Sequence, residues 1–420
     1  MKSSYPPGAI YANWFNLFNA ISFQIVIGTP AILYAKSLGA SATMLGIVAS
    51  LSPLLTISQI PAAHFLDRFG YKCFTFAGWS LRTFCIFFIA LIPFMNWLGN
   101  PAKLKILVGA LILFNLLRGI ASGAWLPWMT ELIPQDIRAR FIARDQFCLH
   151  IGSLGSTLIC AYLLSEESQP WQFSLIFFLS TIAGWISLSF IQRIPDIAPG
   201  ETLKQSNTAV PWLEIITYPP FVRLTIFVFL ITISSGSAGV FGVVFLKSHL
   251  HFGQNRILFI NTLYFLGAIV TLPVVGHLID RIGNKITLSV SMIILCIIFL
   301  SWSLIAAEVL PPSLLLINTL YLTGGIAGAG IGVAQTRLMM STMPEIGRTH
   351  FFAFFSVITS LGLGFAPVGW GIMIDSLDHF SVKIGSFLCN NFAIYYFLVF
   401  LIILSGSAWI AVLIDKKTVR

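Results

Sequence analysis

"HFLDRFGYK", His64 to Lys72, joins two apolar runs, and "HLIDRIGNK", His277 to Lys285, joins two more. Asp, Arg, Gly and Lys recur in the same register, and the aspartates Asp67 and Asp280 stand 213 positions apart (280 − 67), about half the chain. A period that long points to internal duplication. A second pair agrees: "PQDIRARFIA" from Pro134 matches "PEIGRTHFFA" from Pro344, keeping the Pro, an Arg four residues on and the later Phe and Ala, at an offset of 210 (344 − 134). The two landmarks divide the chain into copies near 1–192 and 222–420. The polar, proline-containing stretch 193–221 between them reads as a cytoplasmic linker.

The apolar runs decide the solvent. Of 420 residues, 57% are hydrophobic and 9% charged, against roughly 25% charged in a soluble domain. Runs of about 20 apolar residues recur from end to end, long enough to cross a ~30 Å hydrocarbon layer as helix. Backbone groups in lipid must be paired within the segment, so each run is expected to be helical. The spans read 11–34, 43–65, 73–96, 105–129, 146–164, 172–192, 222–247, 257–279, 286–306, 312–338, 351–374 and 392–414. The expected fold is an all-α integral membrane protein with twelve transmembrane helices in two pseudo-symmetric six-helix bundles. The first run is too long for a signal-peptide core and is expected to remain as a span. A soluble enzyme is excluded.

The net charge of +9 raises a nucleic-acid partner as a possibility, but the cations sort by side. With the N-terminus inside, one side holds Lys2, Arg68, Lys72, Arg138, Arg140, Arg144, Arg193, Lys204, Arg223, Arg281, Lys285, Arg348, Lys416, Lys417 and Arg420. The other holds Lys36, Lys103, Lys105, Lys247, Arg256 and Lys383. This positive-inside asymmetry accounts for the charge without nucleic acid, and an even number of spans returns both termini to the cytoplasmic side. The bias fits a bacterial inner membrane. Cysteines 73, 85, 148, 160, 296 and 389 have no paired short spacing, so they read as packing residues and no metal, disulfide or other cofactor is expected.

The repeated loops carry a family resemblance. "AHFLDRFGYK" and "GHLIDRIGNK" resemble the loop signature of the major facilitator superfamily, between the second and third spans and again between the eighth and ninth. Gly276 keeps the leading Gly that Ala63 replaces, and Tyr71 and Asn284 each replace one of two basic residues. The resemblance implies a secondary transporter fold that usually works as a monomer. "ELIPQDIR" resembles the Glu-six-Arg pair of that family's sugar porters in Glu131 and Arg138; the second half keeps Arg348 but has Ser341 for the Glu.

The signature also has a chemistry of its own. An Asp at a helix end is costly unless paired or solvated, and Arg68 and Arg281 adjoin Asp67 and Asp280. Gly70 and Gly283 allow a sharp turn in a short loop. The set Asp67, Arg68, Gly70, Lys72, Glu131, Arg138, Asp280, Arg281, Gly283, Lys285 and Arg348 is read as a latch for one closed state. Ordinary topogenic charges would explain the basic residues but neither the Asp nor its repeat.

Ions inside a membrane are expensive, so those left once the loops are removed are functional candidates. No carboxylate falls at mid-span: Glu131 and Asp375 are near helix ends, and the other acids are placed in loops or termini. The remaining cations are Arg82, Arg118 and Arg337, the last close enough to an end to snorkel. Asn115, Arg118, Ser122 and Trp125 follow at spacings of three, four and three, one face of a helix that lipid would not receive. "LRGIASGAW" around them resembles the family's fourth-span Arg motif. Arg82 lies near mid-membrane, and Asn13, Asn16 and Gln24 share a face of the first span, which in the family lines the cavity. The alternative for all of these is interhelical polar contact. The small-residue runs "SSGSAG" at 234–239 and "GGIAGAGIG" at 324–332 permit close approach or bending, and neither is a phosphate cradle.

The reading is therefore a secondary transporter whose partners are a small solute and the bilayer. A cavity with Arg118, Arg82, Asn115, Ser122, Asn16 and Gln24, flanked by Trp125 and Trp79, suits an organic anion or amphipathic metabolite. His150 is the proton-coupling candidate. The rivals are a proton-coupled multidrug exporter of the same fold, commonly dependent on a buried acid, and a non-transporting membrane sensor or assembly factor.

Overall fold

The computed structural model describes residues 6–62, 65–197, 217–342, 348–385, 387–410 and 413. Among them, twelve helical segments are long and apolar enough to cross a membrane, one at each expected span. The chain is helical almost throughout because each run satisfies its own backbone, leaving side chains to decide the packing.

Four of these spans, the first, second, fourth and seventh, are broken helices. The first is α1 (Ile10–Ile27) and α2 (Thr29–Ser37), separated at Gly28, with Pro30 opening α2. Next come α3 (Ala42–Thr56), the short α4 (Gln59–Ala62) and α5 (Leu66–Phe69), and α6 (Tyr71–Leu91). The fourth span, read from the sequence as one helix, is two: α7 (Asn100–Ser122) and α8 (Trp125–Leu132). The reason is Pro127, which has no N–H to give and whose ring would meet the carbonyl four residues back, at Gly123. α9 (Gln135–Leu163) and α10 (Pro170–Ile191) complete the first six spans.

The seventh span breaks at Gly236 into α11 (Pro219–Ser235) and α12 (Ala238–Ser248), so "SSGSAG" is a true interruption. α13 (Gln254–Ile282), α14 (Asn284–Ala306), α15 (Leu314–Thr342) and α16 (Arg348–Ser376) follow. "GGIAGAGIG", by contrast, lies inside unbroken α15 and serves contact: a Cβ on Gly325 would stand 2.0 Å from the Tyr264 carbonyl oxygen of α13. An antiparallel hairpin, β1 (Ser381–Ile384) with β2 (Phe387–Asn390), precedes α17 (Asn391–Trp409) and was not anticipated.

Packing groups the chain into two units. Unit 1 comprises 1–40, 51–208 and 252–259; unit 2 comprises 41–50, 209–251 and 260–420. These follow the sequence halves except at two exchanged segments, one being the first turns of α3. Within unit 2 those turns are held by Asp375 of α16, whose carboxylate accepts from the amides of Ala42 at 2.9 Å and Thr43 at 2.7 Å. A carboxylate there satisfies amides that no earlier turn can reach and suits the positive end of the helix dipole.

The core of unit 1 contains Phe15, Tyr71, Trp79, Trp128, Met129 and Phe141. In unit 2, Trp302 and Tyr396 stack at 5.8 Å, and the Tyr395 hydroxyl lies 2.8 Å from Ser237 Oγ. Exposed apolar side chains such as Phe88, Val270 and Ile297 form the outward faces expected of a protein in lipid.

Candidate functional site

Unit 1 places two arginines near the middle of their spans, Arg82 on α6 and Arg118 on α7. On α6 the buried face runs Thr75, Trp79, Arg82, Ile86 and Ile89, while Leu81, Phe84 and Phe88 are exposed. Helical periodicity alone thus turns Arg82 inward, to 0% exposure. Its Nη2 donates to Asn19 Oδ1 of α1 at 2.7 Å, and Trp79 Nε1 donates to the same oxygen at 3.0 Å. The guanidinium lies 5.4 Å from the ring centroids of both Trp79 and Phe114. Its Nε and Nη1 are sealed and have no acceptor among the described residues.

Arg118 is only half-buried. Nη1 donates to Ser52 Oγ of α3 at 2.9 Å, and the group lies 5.9 Å from the Phe23 ring centroid. Nε and Nη2, one edge of the planar guanidinium, have no acceptor among the described residues. Arg118 is also close enough to Arg82 to act on it through its charge. Among the described residues neither arginine forms an ion pair. Two cations therefore share a low-dielectric region with no carboxylate in contact with either among the described residues, an arrangement that favours the arrival of an anion.

Backbone approach makes this geometry possible. A Cβ on Gly119 would stand 2.1 Å from the Leu55 carbonyl oxygen and 2.7 Å from Ser58 Oγ, so only glycine lets α7 reach the end of α3 beside Arg118. Gly119→Ala is expected to lower stability by about 1–3 kcal/mol through overpacking. The midpoint of thermal unfolding of the purified protein checks it.

The remaining members of the expected stripe are arranged differently. Asn115 is 2% exposed and donates to the Leu111 carbonyl of its own helix, and Ser122 donates to the Gly119 carbonyl. The break after Ser122 removes Trp125 from the stripe: on α8 it packs 4.7 Å from Phe15 and 6.1 Å from Trp128, against the core. Gln24 is half-buried and its carboxamide lies over Gly28.

Asn16 has another partner. The expectation that the remaining acids lie in loops or termini fails at Asp145, which is well inside α9, ten residues after its start. Its Oδ1 accepts from Asn16 Nδ2, and from Asn13 Nδ2 at 3.4 Å. The expected span, 146–164, begins one residue after Asp145, because the helix starts earlier than its hydrophobic stretch. Asn19, Ser52 and Phe23 were also missed. The signal for Asn19 was its spacing of three from Asn16 and six from Asn13. His150 is half-buried, with Nδ1 sealed and without a partner among the described residues.

At the loop signature, Gly70 and Gly283 both take positive φ, +72° and +87°, immediately before α6 and α14. Lys72 Nζ donates to the Gln192 carbonyl at the end of α10 at 2.9 Å, and the Tyr71 hydroxyl donates to Glu131 Oε1 at 3.1 Å. Arg68 lies 5.6 Å from the Phe69 ring centroid, and Arg281 and Arg337 are exposed. The side chains of Asp67, Arg138, Asp280, Ser341 and Arg348 lie outside the described residues.

The model of the Major Facilitator Superfamily matches residues 14–367 and 224–420. The chain belongs to that superfamily. Among solved structures of the same fold, a D-xylose-proton symporter aligns at TM-score 0.77 and 15% identity, covering 98% of each chain. The nucleoside transporter NupG aligns, as a mutant, at TM-score 0.74 and 10% identity, covering 97% of this chain and 100% of that one. These likenesses show the twelve-helix superfamily fold. A curated relative, "Probable anion transporter 4, chloroplastic" of Oryza sativa subsp. japonica, is 25% identical over 191 residues. That match spans 40% of this chain and 30% of the relative's length. Membership of this superfamily of membrane transporters points to transport rather than to an enzyme.

Proposed function

We propose that this superfamily member carries an organic anion, or an amphipathic metabolite with an anionic group, by alternating access of two six-helix halves, 1–192 and 222–420. One observation carries the reading: Arg82 and Arg118 are two intramembrane cations without an ion-pair partner among the described residues, and Arg118 keeps an edge of its guanidinium free. That edge is the geometry with which arginine takes a carboxylate or phosphate through two parallel hydrogen bonds. Arg82, sealed in the core, supplies field rather than contact. The partial likeness to a plant protein named as an anion transporter points the same way.

The loop signature serves as a latch in this reading, with Asp67, Arg68, Lys72, Glu131, Arg138, Asp280, Arg281, Lys285 and Arg348 closing one side. The glycines with positive φ support it. In this reading the carrier is a monomer in a bacterial inner membrane with both termini cytoplasmic, and the lysine and arginine bias supports that orientation. Asp145 is a half-buried acid of the kind on which an exporter of apolar cations commonly depends. Its carboxylate faces two amide donors, however, and these favour an acceptor that stays in place over one that greets a cation.

The test is thermal unfolding of purified protein against anionic, neutral and cationic metabolites, since a ligand at 100 times its Kd stabilises the folded state by about 2.7 kcal/mol. Anions are expected to raise the midpoint. Stabilisation by apolar cations alone would overturn the reading.

A further inference from the structure

The three asparagines of α1 link two charged groups that do not touch. Asn13 and Asn16 donate to Asp145 of α9, and Asn19 accepts from Arg82 of α6. Residues three apart on a helix are neighbours on one face, separated by ~4.5 Å of rise. A carboxylate near the end of its span and a guanidinium at mid-span are thus held by consecutive members of one amide ladder.

We propose that Asp145 is a proton-binding site, and that its protonation is coupled to anion binding at Arg118. An acid that merely fastened two helices would be expected to meet a cation or a full set of donors. Asp145 instead has two amides on a single oxygen, with no partner for Oδ2 among the described residues. The arriving proton bonds to Oδ2 from water on the side to which the carrier is open. A metal ion is a poorer occupant, because both amides present N–H groups and not carbonyl oxygens. The described residues also contain no group of three or more metal-ligating side chains.

Charge supplies the coupling. With Asp145 ionised, Arg82, Arg118 and Asp145 sum to one positive charge; with Asp145 neutral they sum to two. Proton uptake therefore strengthens the field that attracts an anion, and a bound anion favours proton uptake by the same factor. The coupling rests on the proposed anion reading, whereas the proton site does not.

Other titratable groups near the site are few. α1 contributes Tyr11, α2 contributes Tyr34 and Lys36, and α10 contributes none. α9 itself carries Arg144, Cys148, His150, Cys160 and the exposed Tyr162, with Asp136, Arg138 and Arg140, whose side chains are not described. None of the described groups bonds to Asp145.

The experiment is infrared difference spectroscopy of the full-length protein in lipid vesicles, without ligand, between about pH 5 and about pH 8. A carboxylic C=O band should appear at the lower pH, be lost in Asp145→Asn and persist in His150→Ala. Asparagine matches neutral aspartic acid in shape, so the variant is expected to fold. Asn16→Ala, which leaves the carboxyl in place, should displace the titration midpoint by on the order of one pH unit. An identical difference spectrum in wild type and Asp145→Asn overturns the proton site and leaves the anion reading standing. Failure of every anion to bind overturns the coupling and leaves the infrared band as the separate record of the site.

Discussion

Arg118→Ala is expected to weaken binding of the stabilising anion by about 10- to 100-fold, the loss of one charge-assisted, two-point contact worth about 1.5–3 kcal/mol. The fold itself should survive. Arg118 is half-buried, and among the described residues its polar and ring contacts are one hydrogen bond to Ser52 and the Phe23 ring. Arg118→Lys retains the charge but not the planar edge, and its affinity should fall between wild type and alanine. Isothermal titration of the three proteins with the same anion checks the order. Equal affinities would return Arg118 to a structural role in joining α7 to α3.

Arg82→Met is expected to raise thermal stability, by about 1–4 kcal/mol, while abolishing transport. A buried charge held by one hydrogen bond and two aromatic faces, with Nε and Nη1 unsatisfied, is a net cost that an apolar chain of similar length removes. Asn19 is not orphaned by the change, because Trp79 Nε1 still donates to its Oδ1. A site kept at the expense of stability is the pattern of a functional group. Thermal unfolding and uptake into proteoliposomes read the two effects separately. A lower midpoint would mark Arg82 as a structural pin, and retained uptake would remove it from the anion field.

The contrast between these arginines explains what could be read ahead of the structure. Their depth followed from counting residues in an apolar run. Their difference in accessibility did not, because it depends on which neighbours cover each face: Trp79, Phe114 and Asn19 seal Arg82, while Ser52 engages only one nitrogen of Arg118. Trp125 went astray for a local reason, since a spacing argument assumes one continuous helix and Pro127 ends that continuity. Asp145 went astray for another. A hydropathy window finds where apolar residues begin, but α9 begins at Gln135 and carries the acid in with it.

Residue order and composition by themselves determined the twelve spans, the duplication and the turns at Gly70 and Gly283. All three are consequences of local chemistry: apolar length against bilayer thickness, repeated motifs, and the conformational freedom of glycine. Only tertiary structure decided that Asp145 meets Asn13 and Asn16, that Asn19 meets Arg82, and that Asp375 meets the first turn of α3. Those pairings join residues 63 to 333 positions apart. Side-chain partners at such separations are set by helix rotation and close approach, which no periodicity within a single span encodes.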